Sequence, residues 1–335
     1  MKITNLKSRI NFCIQNSITP LIFGGPGIGK SQTVESLVQD QGWEYEPFIP
    51  SFASPHHVGG LPMKVEVDGR VEAVCIPLEL GKRIFSHKGN NLLVVHIEDL
   101  IQATPLLQAT LMSLIHKRSI NGVQIPDTVR FVIDTNRAGD RAGGNSIIEP
   151  MKSRTWQVDF PLDINNWIHW GIESGRIDKR VLAFVKSNPD AFYVFQPSAK
   201  LENYPCPRTW EIASKFVREG FVDGETLAGC VGNEEGHNLA SFLAELKDFG
   251  FLLGEVLKDP YQAKTFDNLS KVYGAGLILA RNLEKKNIEK IYTYLNRYNN
   301  DEITNFVISL GCEIHPDSKE TKVYQKTVLG LGGAK

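Results

Sequence analysis

No stretch of the 335 residues approaches the roughly 20 consecutive apolar positions that a bilayer-spanning helix needs. A membrane role is therefore not expected. Charge of one sign is missing too: 37 Lys and Arg face 38 Asp and Glu, so no overall positive field draws the chain onto nucleic acid or anionic lipid. Cysteine is sparse and odd in number. Cys13, Cys75, Cys206, Cys230 and Cys312 never fall in CxxC pairs, which argues against a disulfide framework or a zinc site. The opening MKITNLKSRINFCIQ breaks every apolar run with polar residues, so a cytoplasmic location is the expectation.

What is present is the composition of an ordinary folded protein, 42% apolar and 22% charged, with enough chain for one large domain or two average ones. Residues 5–17 read as an amphipathic helix. The apolar PLIF run at Pro20–Phe23 stops abruptly at Gly24 and Gly25, and Val34, Leu37 and Val38 then recur at helical spacing. Strand-like residues return at 44–49. The run NLLVVHI, Asn91–Ile97, is too short for a helix and suits a central strand buried on both faces. A helix follows from about Thr104 and Pro105, with Leu107, Leu111 and Leu114 along one side, then a turn at Asn121 and Gly122. VRFVI (Val129–Ile133) and residues 155–160 complete the strands. Strands alternating with helices imply a parallel α/β sheet.

One segment departs from that alternation. Val65, Val67, Val71, Ala73 and Cys75 alternate around Asp68, Gly69 and Arg70, which predicts a hairpin with a three-residue loop and all five on one face. Beyond Asp163, a predicted helix cap, the pattern is almost wholly helical. The expected domains are an α/β core over 1–160 with a hairpin insertion at about 55–76, a helical lid over 161–330, and a loose tail over 331–335.

The chemistry concentrates at Gly24, Gly25, Pro26, Gly27, Ile28, Gly29, Lys30, Ser31 and Gln32. GGPGIGKS satisfies the phosphate-loop spacing, and it stands where that spacing has meaning, between an apolar strand and a helix. Its glycines let backbone N–H groups turn toward phosphate oxygens, and the helix points its positive end at them. Lys30 can reach the outer phosphates of ATP, and Ser31 can ligate magnesium. An acid at the end of a neighbouring strand should share the metal shell, and a second should polarise the attacking water. Glu98 and Asp99 stand there in the sequence. The alternative is that they begin a solvated helix, where its dipole favours them.

These motifs, in order, resemble the MoxR-type branch of the AAA+ ATPases, over most of the chain. In that family the strand after the hairpin insertion usually ends in Asp then Glu; here it is Glu98 then Asp99. Asp99 is one methylene shorter than the usual base, so slow hydrolysis with intact binding is expected. The resemblance implies that Asn136, in VRFVIDTN, is a first sensor orienting the water; its other reading is a turn residue. TNRAGDRAG continues through Gly144, where Arg137, Asp140 and Arg141 read as structural. By the same resemblance Arg154, in EPMKSR, is an arginine finger entering the next subunit's site, although a basic residue ending a helix also complements the dipole. Arg208, in CPRTW, matches a second sensor. The first turn of a helix disfavours its charge unless something negative compensates, and Trp210 beside it reads as lid core.

PHHVGGLP, Pro55–Pro62, resembles the insertion of this branch. Adjacent side chains on an extended segment point apart, which speaks against His56 and His57 as metal ligands. The resemblance further implies a homo-oligomeric, hexameric ring that remodels a separate client or adaptor, often one with a von Willebrand A domain. Two other readings stay open: a nucleotide-locked structural ring, and a nucleic-acid motor, which the balanced charge disfavours.

Overall fold

The computed structural model describes residues 2–67, 70–140, 145–196 and 202–330; Asp68, Gly69, Arg141, Gly144 and the 331–335 tail lie outside the described residues. The chain divides into two compact units, Met1–Leu162 and Asp163–Lys335.

The first unit begins with α1 (Ile3–Gln15), which buries Leu6, Ile10, Cys13 and Ile14 along one stripe. Nine strands follow among the described residues of this unit, β1 (Pro20–Phe23), β2 (Glu44–Phe48), β3 (Leu61–Val67), β4 (Arg70–Ile76), β5 (Leu93–Ile97), β6 (Ser119–Ile120), β7 (Val123–Gln124), β8 (Val129–Thr135) and β9 (Trp156–Asp159). Between them run α2 (Lys30–Asp40), α3 (Pro55–Gly59), α4 (Glu79–Ser86), α5 (Pro105–Lys117) and α6 (Glu149–Lys152). Five strands form one parallel sheet in the order β2-β5-β8-β1-β9.

Residue type explains who sits where. Every residue of β5 is buried, as a strand covered on both faces requires. β2, at the sheet edge, tolerates Pro47, which lacks the N–H that a central strand would need. Leu107, Leu111 and Leu114 of α5 pack under Val95, Ile97, Phe131 and Ile133, each buried leucine contributing about 1.5–3 kcal/mol. Thr104 caps α5 by accepting from the Leu107 amide at 3.3 Å. The expected turn at Asn121 and Gly122 joins β6 to β7 with both residues at positive φ, 49° and 81°.

Two expectations are corrected. The β3–β4 hairpin pairs Val67 with Arg70, so its connection holds two residues rather than three. Val65 then opposes Glu72 while Ala73 opposes Lys64, and the apolar residues divide between the two faces instead of sharing one. Pro55–Gly59 is helical, not extended: Pro55 occupies the first turn and His57 Nδ1 accepts from the Ser54 amide at 3.0 Å, closing a capping box. The case against paired His56 and His57 ligands therefore cannot rest on an extended backbone.

The regular elements among the described residues of the second unit are all helices: α7 (Ile164–Ser174), α8 (Lys179–Ser187), α9 (Pro207–Arg218), α10 (Gly224–Val231), α11 (Asn233–Glu245), α12 (Leu252–Lys258), α13 (Leu269–Arg281), α14 (Ile288–Asn296), α15 (Asp301–Ile314) and α16 (Lys322–Thr327), with short 3-10 turns between them. Asp163 caps α7 through the Asn166 amide at 3.0 Å, as its position before the apolar run implies. Trp210 of α9 is fully buried against Phe184 and donates its indole N–H to the Phe192 carbonyl at 3.2 Å. No helix among the described residues is long and apolar enough to cross a membrane.

Candidate functional site

β1, β5 and β8 all end on the same edge of the parallel sheet, where open α/β sheets bind ligands. The loop leaving β1 turns sharply. Gly27 and Gly29 adopt φ of 75° and 97°, which side-chain-bearing residues rarely do, and a methyl group on Gly24 would lie 2.6 Å from Ile28 Cδ1. α2 starts directly after Gly29 with no side-chain cap and no acid in its first turn. Its first N–H groups and positive dipole end are therefore offered to an anion.

Lys30 is 8% exposed, and its ammonium donates to the carbonyls of Gly24 (2.9 Å) and Gly25 (3.0 Å) and to Asn136 Oδ1 (3.0 Å). Those partners are neutral oxygens. Phosphate oxygens would form stronger, charge-assisted bonds, so a polyphosphate tail can draw the ammonium off its own loop.

Asn136 follows β8 directly and is buried. Its Nδ2 donates to Asp99 Oδ1 at 2.8 Å, so the amide lies between the loop lysine and the acid after β5. Asp99 sits at φ 54°, a left-handed conformation that Asp tolerates better than most residues, and its amide donates to Asp134 Oδ1 at 3.1 Å. The structure thus brings Lys30, Asn136 and Asp99 together.

Ser31 and Glu98 are not brought together. The Ser31 hydroxyl donates to Asp134 Oδ2 at 2.7 Å, whereas Glu98 Oε1 lies 3.3 Å from the Tyr45 hydroxyl. Asp134 is 2% exposed and also lies 3.1 Å from His96 Nε2, off the line of a straight hydrogen bond. Burial opposes its ionisation, but the His96 contact, the Ser31 hydroxyl and the charge of Lys30 outweigh it and hold the carboxyl below the usual range. Tyr45 also contacts His96 Nδ1 at 2.8 Å; burial, with the charge of Glu98, pushes its hydroxyl far above the usual phenol range.

Arg154, exposed just beyond α6, donates to the Pro150 carbonyl at 2.8 Å and contacts Ser153 Oγ at 3.3 Å. Its approach is anchored by Gln108, fully buried on α5, which donates to the Ala103 and Ser146 carbonyls and accepts from the Ile148 amide, each within 3.2 Å. Arg137 pairs with Asp159, and Asp140 accepts from the Arg137 amide. Arg208 is exposed in the first turn of α9 in the second unit, a turn that holds no acid.

Asp134, His96, Tyr45 and Gln108 are the residues that sequence reasoning missed. Asp134 carried a signal, since it is the first polar residue after the apolar VRFVI run, as Glu98 is after LVVHI. No cluster of three His, Cys, Asp or Glu suited to a metal occurs among the described residues. A serine hydroxyl beside one buried carboxylate is instead a donor set for magnesium, which takes few protein oxygens and fills its shell with phosphate and water.

No family model matches the chain, and no curated protein does. Among solved structures it is similar to a candidate ATPase from Cytophaga hutchinsonii, with 11% identity across 88% of this chain and 75% of that one, at a TM-score of 0.36. The RuvB Holliday junction branch migration motor of Thermotoga maritima gives 13% identity across 83% of this chain and 84% of that one, at 0.41. NtrX from Brucella abortus in complex with ADP gives 13% across 56% of this chain and 45% of that one, at 0.36, so the chain spans under half of NtrX. Scores this low carry no functional argument. The molecule itself has a five-stranded parallel α/β sheet with a phosphate-loop sequence at the end of β1, followed by a helical unit.

Proposed function

We propose that the chain is an ATP-binding, ATP-hydrolysing subunit of the MoxR-like AAA+ kind. One observation carries this reading: GGPGIGKS turns between β1 and an uncapped α2, with Lys30 folded over the loop and Ser31 beside a buried acid. Backbone N–H groups from Gly25 to Lys30 would wrap the phosphates, and Lys30 would hold the outer ones. Magnesium, when bound beside Ser31, would neutralise charge on the phosphate tail. Asp99 accepts a proton from water as the water oxygen bonds to the γ-phosphorus. The bond to the β–γ bridging oxygen breaks, releasing ADP and phosphate. Asn136 orients that water from its position between Lys30 and Asp99.

In this reading Arg154 completes a neighbour's site within a ring, expected to be hexameric, and Arg208 contacts the phosphates. The ring would remodel or activate a client supplied in trans, such as one with a von Willebrand A domain. Purified protein should bind a fluorescent ATP analogue with magnesium, and Lys30→Ala should weaken binding at least 100-fold. Absence of binding by the unaltered chain would end the proposal. Arg154→Ala should keep nucleotide affinity yet depress phosphate release, including in rings mixed with unaltered subunits.

A second reading, an ATP-locked structural ring, is favoured by Asp99: it is shorter than glutamate, and its carboxylate is tied to Asn136. Rings that form with ATP but release no phosphate even with the client present would select it.

A further inference from the structure

Resting on the phosphate-loop reading, we infer that Asp134 of β8, rather than Glu98 after β5, supplies the carboxylate of the magnesium shell, with His96 and Tyr45 as its positioning residues. Sheet order makes the first argument. β8 lies directly beside β1, with Asp134 level with Ile22, whereas β5 is one strand further out. Each strand step adds about 4.8 Å, so an acid on β8 starts nearer the loop and Ser31 than one on β5.

Hydrogen bonding makes the second argument. Both oxygens of Asp134 are occupied, Oδ1 by the Asp99 amide at 3.1 Å and Oδ2 by the Ser31 hydroxyl at 2.7 Å. The second distance is in the range of a charge-assisted O–H···O⁻ bond. A serine hydroxyl has one hydrogen and two lone pairs. While its hydrogen stays on Asp134, its lone pairs remain available to a cation, so metal can bind without dismantling the pair.

The buried histidine makes the third. His96 is fully buried, and its Nε2 faces Asp134 Oδ2 at 3.1 Å without an in-line hydrogen bond. The tautomer that suits an acceptor-only carboxylate is the one with the hydrogen on Nε2. Nδ1 then accepts from Tyr45, whose single hydroxyl hydrogen serves this 2.8 Å contact before Glu98 at 3.3 Å. In that tautomer the imidazole stands behind the carboxylate, held from its other side by Tyr45, as partners of metal-ligating groups commonly are. Glu98 stands behind Tyr45 and His96 in this chain of contacts, and its side chain is 27% exposed.

Mn²⁺ can stand in for magnesium, with its binding to the full-length chain loaded with a non-hydrolysable ATP analogue read by electron paramagnetic resonance. Asp134→Asn should weaken Mn²⁺ binding about 10–100-fold, His96→Leu about 10-fold, and His96→Gln less, because its amide still donates. Glu98→Gln should stay within about threefold. In EDTA, Asp134→Asn should bind the nucleotide as the unaltered chain does, whereas Lys30→Ala should not. The inference is overturned if Glu98→Gln weakens Mn²⁺ tenfold or more, or if folded Asp134→Asn leaves it unchanged. Should Asp134→Asn fail to fold, Glu98→Gln and His96→Leu decide by the same thresholds, and unchanged Mn²⁺ binding in folded His96→Leu then overturns it. Failure of the unaltered chain to bind nucleotide is a different result, which strikes the phosphate-loop reading instead.

Discussion

The Asn136 side-chain amide donates to Asp99 Oδ1 at 2.8 Å, while the same amide's oxygen accepts from Lys30 at 3.0 Å. The chemistry fixes its orientation. An ammonium offers only hydrogens and a carboxylate offers only acceptors, so the amide oxygen must face Lys30 and the nitrogen must face Asp99. Asn136→Ala should therefore reduce phosphate release on the order of 100-fold, as loss of an aligned polar group in such a site does. Nucleotide affinity should move by no more than a few fold, because the loop and α2 are untouched. Parallel loss of binding and turnover in a folded variant would contradict this assignment.

Asp99→Glu should raise turnover and leave ATP affinity unchanged. The added methylene lets the carboxylate reach further toward a water at the γ-phosphate, and misplacement by about 1 Å can cost about 100-fold. A stability loss of about 1 kcal/mol should accompany the gain, since Glu takes the φ 54° backbone less readily than Asp. Steady-state phosphate release and a thermal melt measure the two effects. A fall in turnover would show that the short acid is already well placed.

Local features of the sheet and loop were legible in the sequence for definite reasons. PLIF against GGPGIGKS fixes a strand, a turn and a helix start within twelve residues, and LVVHI is too apolar and too short to be anything but a buried strand. What a single sequence does not carry is adjacency. Glu98 and Asp134 both follow apolar strands, and only the β5-β8-β1 order puts Asp134 beside Ser31. Register failed in the β3–β4 hairpin for a related reason: alternation specifies each strand's faces, but one residue more or less in the turn reverses how the faces combine. Pro55–Gly59 was misread because five residues are too few for helical periodicity to show, leaving only the Ser54 cap and Pro55 as signals.

Thiol reactivity should separate Cys75 from the other four cysteines. Cys13, Cys206, Cys230 and Cys312 are at most 5% exposed, whereas Cys75 on β4 is half-buried. Burial raises the Cys13 and Cys230 thiols and pushes Cys312 up to about 11, where thiolate is on the order of 0.1% at pH 8. Ellman's reagent at pH 8 should titrate one thiol rapidly in the native protein and five in denaturant. Two or more fast thiols in the folded state would be incompatible with this packing.

Within the helical unit, two glycines should respond in opposite directions to the same change. A methyl group on Gly236 of α11 would lie 2.2 Å from the Ala228 nitrogen and 2.4 Å from its Cα. Those are backbone atoms of α10, so no rotamer change relieves the clash, and the helices must separate. Gly236→Ala should destabilise the unit by about 3 kcal/mol, at the upper end for overpacking. Gly229, exposed on α10, has nothing within 4 Å of such a methyl. There the added carbon only restricts the unfolded chain, so Gly229→Ala should stabilise by about 0.5–1 kcal/mol. Denaturant midpoints followed by helical circular dichroism compare the pair directly. If Gly236→Ala matches the unaltered chain, α10 and α11 do not approach this closely. If Gly229→Ala is the more damaging change, the two helices face each other differently from the packing described.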